Sequence, residues 1–260
     1  MFSRDLLFSA ASGGASGPDV DATAYFAAMS VQPDATRKAL LTALIKGLKA
    51  DGIWALLDWF SVLAAHDAQA ARINAKNPAQ VASVVSAPVF TTDRGYAGEA
   101  TLASYLDTGV LDTAAGNSVQ DSSCVFGWVN IIGALGGPLI GTVTGGNQRL
   151  TLTPGVSRQY RVHGTVSPVS VGTAPTTGLY SGSRFSSVDV VGYKNGAQEG
   201  VSAVSTSTAP TAVNYSFLRG AGISCDHRMA VGGWGGHLDA TKQTALYNHL
   251  NTYLTAVGGA

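Results

Sequence analysis

The apolar positions of the chain change period twice. After Pro33-Asp34, Leu40, Leu41, Leu44, Ile45 and Leu48 recur at helical spacing up to Asp51-Gly52, which predicts a helix over about 34–50. Ile53, Leu56, Leu57, Phe60, Leu63 and Ala64 fall on one face of a second helix, over 53–72. A turn this short packs two helices as an antiparallel hairpin, with Trp54 and Trp59 in or near the core. Upstream, "AYFAAMSV" (24–31) reads as a strand. Beyond Asn77-Pro78 the helical period gives way to short apolar runs separated by Gly, Ser, Thr and Asn. Several runs alternate, among them Arg149-Leu150-Thr151-Leu152-Thr153 and Gln159-Tyr160-Arg161-Val162-His163. Alternation marks strands with one buried and one solvated face. Strands spaced this way predict an antiparallel sandwich or barrel over about 85–235. The helical period returns in "LDATKQTALYNHLNTYLTAVGG". Asp239 is the N-cap there, Leu246, Leu250, Tyr253 and Leu254 form the stripe, and Gly258 is the stop, giving a helix over 239–256.

Two stretches sharpen the picture. In "VDVVGYKNGAQEGV" (188–201), Asn195-Gly196 separates two strand-like runs, the strongest short-range signal for a hairpin with a type I′ turn. The stretch "CVFGWVNIIGALGGPLIGTV" (124–143) carries no charge and has the length of a membrane span. Gly133, Gly136, Gly137 and Pro138 interrupt it, so two apolar strands joined by a Gly-Pro turn fit better than a helix.

Composition narrows the classes of function. Lys+Arg and Asp+Glu are both 16, a formal net charge of zero. That argues against nucleic acid as a partner, which needs a basic footprint, and against an anionic membrane surface; with 124–143 interrupted by Gly and Pro, no membrane insertion is expected. Charged residues are 12%, about half the usual share, and Gly, Ser, Thr and Ala replace them, as suits extracellular β proteins and virion components. Residues 1–23 are Gly/Ser/Ala-rich and read as a flexible N-terminal arm that orders against a neighbouring subunit. The start lacks the apolar stretch of a signal peptide. The two cysteines, Cys124 and Cys225, read as separate buried thiols rather than a disulfide.

Candidate chemistry is sparse. The chain has two glutamates, Glu99 and Glu199, and no strand that aims paired acids at one face, as glycoside hydrolysis on a sandwich requires. Glu199 reads as a solvated edge residue. There is no G-x-S-x-G elbow and no phosphate-binding loop. Cys225 and His227 are too few for a structural zinc. Asp19-Val20-Asp21 is half of a calcium loop, so calcium enters only through a site assembled from distant loops, and no other cofactor is expected. Sugar recognition is the chemistry that remains, by flat aromatics with amides and arginines beside them. "GLYSGSRFSS" (178–187), the Tyr193-Lys194-Asn195 turn and "GGWGGH" with Trp234 and His237 offer it in loops, which nominates Tyr180, Arg184, Tyr193, Asn195 and Trp234 as glycan contacts.

The succession of segments carries a resemblance. "SVQPDATRKALLTALIKGLKADGIWALLDWFSVLAAHDAQAARINAKNP" is followed by "APVFTTDRGYAGEATLASYLDTG", "GWVNIIGALGGPLIGT", "SGSRFSSVDVVGYKNG" and the closing "LDATKQTALYNHLNTYLTAVG". Over residues 24–260 this resembles phage and prophage structural proteins described as concanavalin A-like or LamG-like (laminin G-like) domains. The resemblance implies a mainly β, two-sheet jelly-roll sandwich with an N-terminal helical hairpin (about 34–72) and a C-terminal helix. It implies a non-enzymatic component of a tailed-phage virion, such as a tail, fibre, spike or capsid decoration. Its partners would be other virion proteins and copies of itself, and it would be made in the host cytoplasm. A dedicated glycan-binding adhesin acting on host-surface polysaccharide is the alternative, and a polysaccharide-degrading enzyme a third reading.

Overall fold

The computed structural model describes residues 18–99, 103–114, 116–145, 147–164 and 168–260. The expected N-terminal arm lies mostly outside them. Its last residues are helical. Asp19 caps α1 (Val20–Ala27) through its carboxylate, which accepts from the amides of Asp21 and Ala22. The segment 24–31 is therefore no strand. Asp19 and Asp21 both hold the Lys49 ammonium at 2.7 Å, so an internal cation occupies the half calcium loop.

The first expected helix is α2 (Ala35–Ala50), capped by Asp34. The second is absent. After one 3-10 turn at 54–56 the chain extends into β1 (Leu57–Ser61), which pairs with the penultimate element of the chain, so the helical hairpin over 34–72 is corrected to helix plus strand. Trp59 and Phe60 leave opposite faces of β1 and both are fully buried. A strand covered on both sides presents a continuous apolar run, which periodicity alone does not separate from a buried helix.

The strands, numbered along the chain, build two antiparallel sheets. The first sheet runs β13 (Ala197–Ser202), β12 (Val190–Lys194), β11 (Gly178–Arg184), β6 (Ser123–Ile131), β17 (Arg228–Gly235), β4 (Gly95–Ala97) and β3 (Val89–Thr91), with β1 on the second half of β17. The second runs β10 (Val169–Val171), β9 (Ser157–Arg161), β8 (Arg149–Thr153), β7 (Gly137–Thr142), β14 (Asn214–Phe217), β5 (Tyr105–Leu111) and β2 (Ser83–Val85). A two-stranded ribbon, β15 (Arg219–Gly220) and β16 (Ile223–Ser224), folds back beside β7. The uncharged stretch 124–143 is two strands, β6 and β7, one in each sheet. No helix among the described residues is long and apolar enough to cross a membrane.

The sheets meet over stacked aromatics. Trp59 and Trp234 are cross-strand partners with ring centroids 5.1 Å apart, and Tyr215 of the second sheet lies on Trp234 at 4.2 Å. Phe217 completes the group. Room for these rings comes from β17: a Cβ at Gly232 would sit 2.4 Å from the Phe217 ring, and one at Gly233 2.5 Å from Phe126. Cys124 and Cys225 are buried free thiols, and burial pushes them up to about 11 and about 12.

The helices cover only one sheet. α3 (Ala240–Val257) is capped by Asp239 and closed by Gly258 in the left-handed conformation. Tyr247 of α3 stacks on Trp128 at 5.7 Å, and Gln243 reaches the Cys124 thiol. The Asn195-Gly196 turn has the left-handed backbone that a type I′ turn demands, φ 50° and 77°. Gly196 also touches α3, where an added Cβ would meet Thr244 Cα at 2.8 Å.

Two stability measurements test this packing. Trp234→Ala empties the centre of the stack and is expected to lower unfolding free energy by about 3–5 kcal/mol in urea titration. Gly196→Ala is expected to lose about 1–2 kcal/mol from its left-handed backbone, with the contact to α3 adding to that.

Candidate functional site

The structure disperses the five residues that the sequence nominates for sugar contact, and it buries four of them. Tyr180, Arg184 and Trp234 are 0% exposed and Tyr193 is 4%. "GLYSGSR" is a strand, β11, between β6 and β12, not a loop. Tyr180 faces the second sheet, its hydroxyl bonded to the Thr176 backbone and its ring 3.9 Å from Lys194 Nζ. Arg184 spends its guanidinium on Val162 O, Ser186 O and Ser205 Oγ. Tyr193 pairs with Ser181 on the face that α3 covers. Trp234 is the centre of the aromatic stack. Asn195 is exposed, yet its Oδ1 accepts from the Leu179 amide and its own amide donates to Leu179 O, which clips the turn to β11. No face of these rings is free to stack on a sugar. His237 likewise bonds Ser183 Oγ.

Glu199 also differs from its expected place. Its side chain is 13% exposed, paired with the Arg158 guanidinium and accepting from the Tyr160 hydroxyl. The Glu199 hydrogen bonds hold Arg158 above its usual range, and burial, then Glu199, pushes Tyr160 well up. Arg158 and Tyr160 belong to the second sheet and Glu199 to the first, so the cluster clamps the sandwich edge. Lys194, beside it, is pushed down to about 7 by burial, while its bonds to Thr176 O and Thr177 O favour the charged form.

The open surface lies elsewhere. Helices cover the outer face of the first sheet, whereas the outer face of the second carries the solvated half of each alternating strand. In β8, Leu150 and Leu152 are fully buried while Arg149, Thr151 and Thr153 point outward. In β9, Gln159 and Arg161 flank buried Tyr160 on the same outward side. Of these, Arg149, Thr151, Thr153 and Gln159 form one wall of a groove of about 390 Å³. Gly136, Gly137 and Pro138 form its floor, and Ile223 of the β15–β16 ribbon stands as the opposite rim, 54% exposed. The floor is closely packed: a Cβ at Gly137 would meet Cys225 Cβ at 2.8 Å, and one at Gly136 would meet Thr153 Cα at 3.1 Å.

Polar groups in the groove lack partners. Arg149 Nε and Thr151 Oγ1 are buried and make no hydrogen bond. Arg149 makes no side-chain hydrogen bond or ion pair among the described residues. The lining contains no carboxylate, and among the described residues no three His, Cys, Asp or Glu side chains gather as a metal site. The alternation of β8 and β9 marked these residues as solvated. It could not mark them as a site, because the ribbon that turns a flat face into a groove comes from some seventy residues further along the chain.

No protein-family model matches the sequence, and a comparison with curated proteins gives no match. Among solved structures the fold is similar to Trypanosoma rangeli sialidase, with TM-score 0.54 and 12% identity, over 83% of this chain and 39% of that one. It is also similar to the botulinum neurotoxin serotype D binding domain, at 0.53 and 9%, over 76% and 52%. A third is botulinum neurotoxin type C, whose cell entry depends on interaction with two ganglioside molecules, at 0.51 and 11%, over 77% and 53%. At such identities the likeness is one of fold. The class is a mainly β protein of two packed antiparallel sheets with flanking helices, spanning from 39% to 53% of the length of these structures.

The edge clamp has a measurable signature. Glu199→Ala leaves the Arg158 guanidinium unpaired at a largely dry position and is expected to lose about 3–5 kcal/mol in urea. Arg158→Met added to it should restore much of that loss. A solvated edge glutamate would instead change stability by about 0.5 kcal/mol or less.

Proposed function

We propose that this domain binds carbohydrate through the groove over β7, β8 and β9, as a glycan-binding adhesin on a concanavalin A-like (LamG-like) jelly roll. The observation that carries this reading is the pair of buried, unpartnered polar atoms, Arg149 Nε and Thr151 Oγ1, on the wall of an open groove. Twelve buried polar atoms lack a partner among the described residues, and these two are the ones that belong to the groove lining; a sugar hydroxyl supplies both a donor and an acceptor. Thr151, Thr153 and Gln159 offer further hydrogen-bonding groups, and Ile223 offers an apolar edge for a C–H face. The fold likenesses lend support, since they include a sialidase and a toxin that enters cells through gangliosides. They include nothing specific to a phage particle. We keep the virion surface as the proposed setting on the succession of sequence segments alone.

The reading is of a binder and not a hydrolase. Glu199 is engaged by Arg158 and Tyr160, Glu99 is exposed away from the groove lining, and the groove presents no acid to a glycosidic oxygen.

Thr151→Val tests the reading because it separates binding from folding. The hydroxyl it removes is buried without a partner, so the unfolding midpoint should hold or rise. Retention on a glycan array or an immobilised polysaccharide should fall by about ten-fold. Unchanged retention with an intact fold would move the site off this groove.

A further inference from the structure

The arginines beside the groove extend this reading to the class of glycan, and the extension rests on it. Arg149 and Arg161 are Cα partners across β8 and β9, so their side chains leave the sheet on one face. Like charges placed directly opposite each other destabilise a ladder. Burial, and then the charge of Arg149, hold Arg161 below its usual range. A carboxylate on Arg149 would relieve the repulsion, and Arg149 has no ion pair among the described residues.

The composition of the sheet leaves little to supply one. Its seven strands contain a single carboxylate, Asp107 on β5. Asp107 accepts from Asn214 Nδ2 at 3.1 Å and from the Gly109 amide at 2.9 Å. It also stands three strands from β8, about 14 Å at the usual strand spacing, beyond the screening length at physiological salt. Glu199, nearer along β9, is taken by Arg158 on the inner side of the sheet. The groove is thus a local positive site on a chain whose net charge is zero.

We infer that the ligand is an acidic saccharide, a sugar bearing a carboxylate or a sulfate ester, whose anionic group seats on Arg149 beside Arg161 while its hydroxyls meet Thr151, Thr153 and Gln159. A guanidinium presents paired N–H groups to two oxygens of one anion, which fixes orientation as well as charge. Thr151 and Thr153 lie two residues apart on one strand, about 6.8 Å, so the hydrogen-bonding groups extend in a row from the cation. That arrangement suits an elongated chain with its charge at one place better than a free inorganic anion.

The test measures binding of the full chain to three oligosaccharides of matched length: neutral, uronic-acid-containing and sulfated. Each is measured at low and high salt, with single-stranded DNA of similar charge as a fourth probe. At least one acidic series should bind about ten-fold tighter than the neutral one at low salt, and the advantage should shrink as salt rises. Which acidic series wins separates carboxylate from sulfate. In Arg149→Gln the ratio of acidic to neutral affinity should collapse towards one while circular dichroism remains that of the parent. Equal affinity for neutral and acidic sugars, or a ratio that survives Arg149→Gln, overturns this inference and leaves glycan binding standing. Binding to none of the three sugars by the folded protein overturns both. DNA binding as tight as the acidic sugar would mean charge attraction without sugar recognition, and that too overturns the inference.

Discussion

Three flat rings in one stack, Trp59, Trp234 and Tyr215, are the contact on which the rest of the sandwich depends. Two rings come from adjacent strands of one sheet and the third from the other sheet, so the stack fixes a strand pairing and a sheet-to-sheet distance together. Rings of this size bury about 150–250 Å² each. Beside Trp234, Gly232 and Gly233 leave room for the Phe217 and Phe126 rings, and Gly235 and Gly236 lie against the Leu56 and Asn117 backbone. The third ring is then located by its hydroxyl. Tyr215 OH donates to Asp112 Oδ1 at 2.7 Å and accepts from Gln148 at 2.9 Å. Asp112 also takes the Thr211 amide and His163, whose other ring nitrogen faces Val119 O. This buried network ties Asp112, Val119, Gln148, His163 and Thr211 to β14, and the aromatic stack meets it at the Tyr215 hydroxyl. Buried polar networks specify one arrangement of strands where an apolar core alone tolerates several.

The second constraint is the asymmetry of the two outer faces. β6 must be apolar on both sides, because Val125, Gly127 and Val129 face the other sheet while Cys124, Phe126 and Trp128 face the helical layer. β8 needs only one apolar side, since nothing in the described chain lies over Arg149, Thr151 and Thr153 except the rim of the β15–β16 ribbon. The helices α2 and α3 therefore decide where a ligand can approach. They cover the middle of one sheet and leave the outer face of the other open.

Sequence periodicity carried much of this and failed in physically definite places. The alternating runs, the Asn195-Gly196 turn, the helix start at Pro33-Asp34, the cap Asp239 and the stop at Gly258 all rest on interactions within a few residues, and each is where its local chemistry put it. The segment 53–72 failed because β1 is covered on both faces, so its apolar pattern has no period to read. Val20–Ala27 was missed as a helix for a related reason: its anchors, Lys49 on Asp19 and Trp54 on Asp21, are about thirty residues away. The nominated sugar contacts failed more instructively. Tyr180, Arg184, Tyr193 and Trp234 were chosen for having both a flat or charged group and hydrogen-bonding capacity. In this fold that combination serves to satisfy polar atoms while filling the space between layers.

The groove inverts that logic. Inside the sandwich many polar side chains find partners, as Arg184 does with three oxygens and Tyr215 with its buried cluster, although Trp128 Nε1, Trp234 Nε1, Gln148 Oε1 and Gln243 Oε1 have none. At the groove the sequence places an arginine and a threonine whose buried atoms have none. An unpaired buried polar group costs about 1–3 kcal/mol, and replacing Thr151 by a β-branched apolar residue would remove part of that cost without disturbing the strand. Arg149 and Thr151 differ from the unpartnered atoms of the interior in lying on the wall of an open groove, where a partner can come from outside the chain. Places where local rules of stability are broken without internal compensation are those where function is expected. Of the residues nominated from sequence, Tyr180, Arg184 and Asn195 are bonded within the chain, whereas Arg149 and Thr151 keep polar atoms without partners beside an open groove.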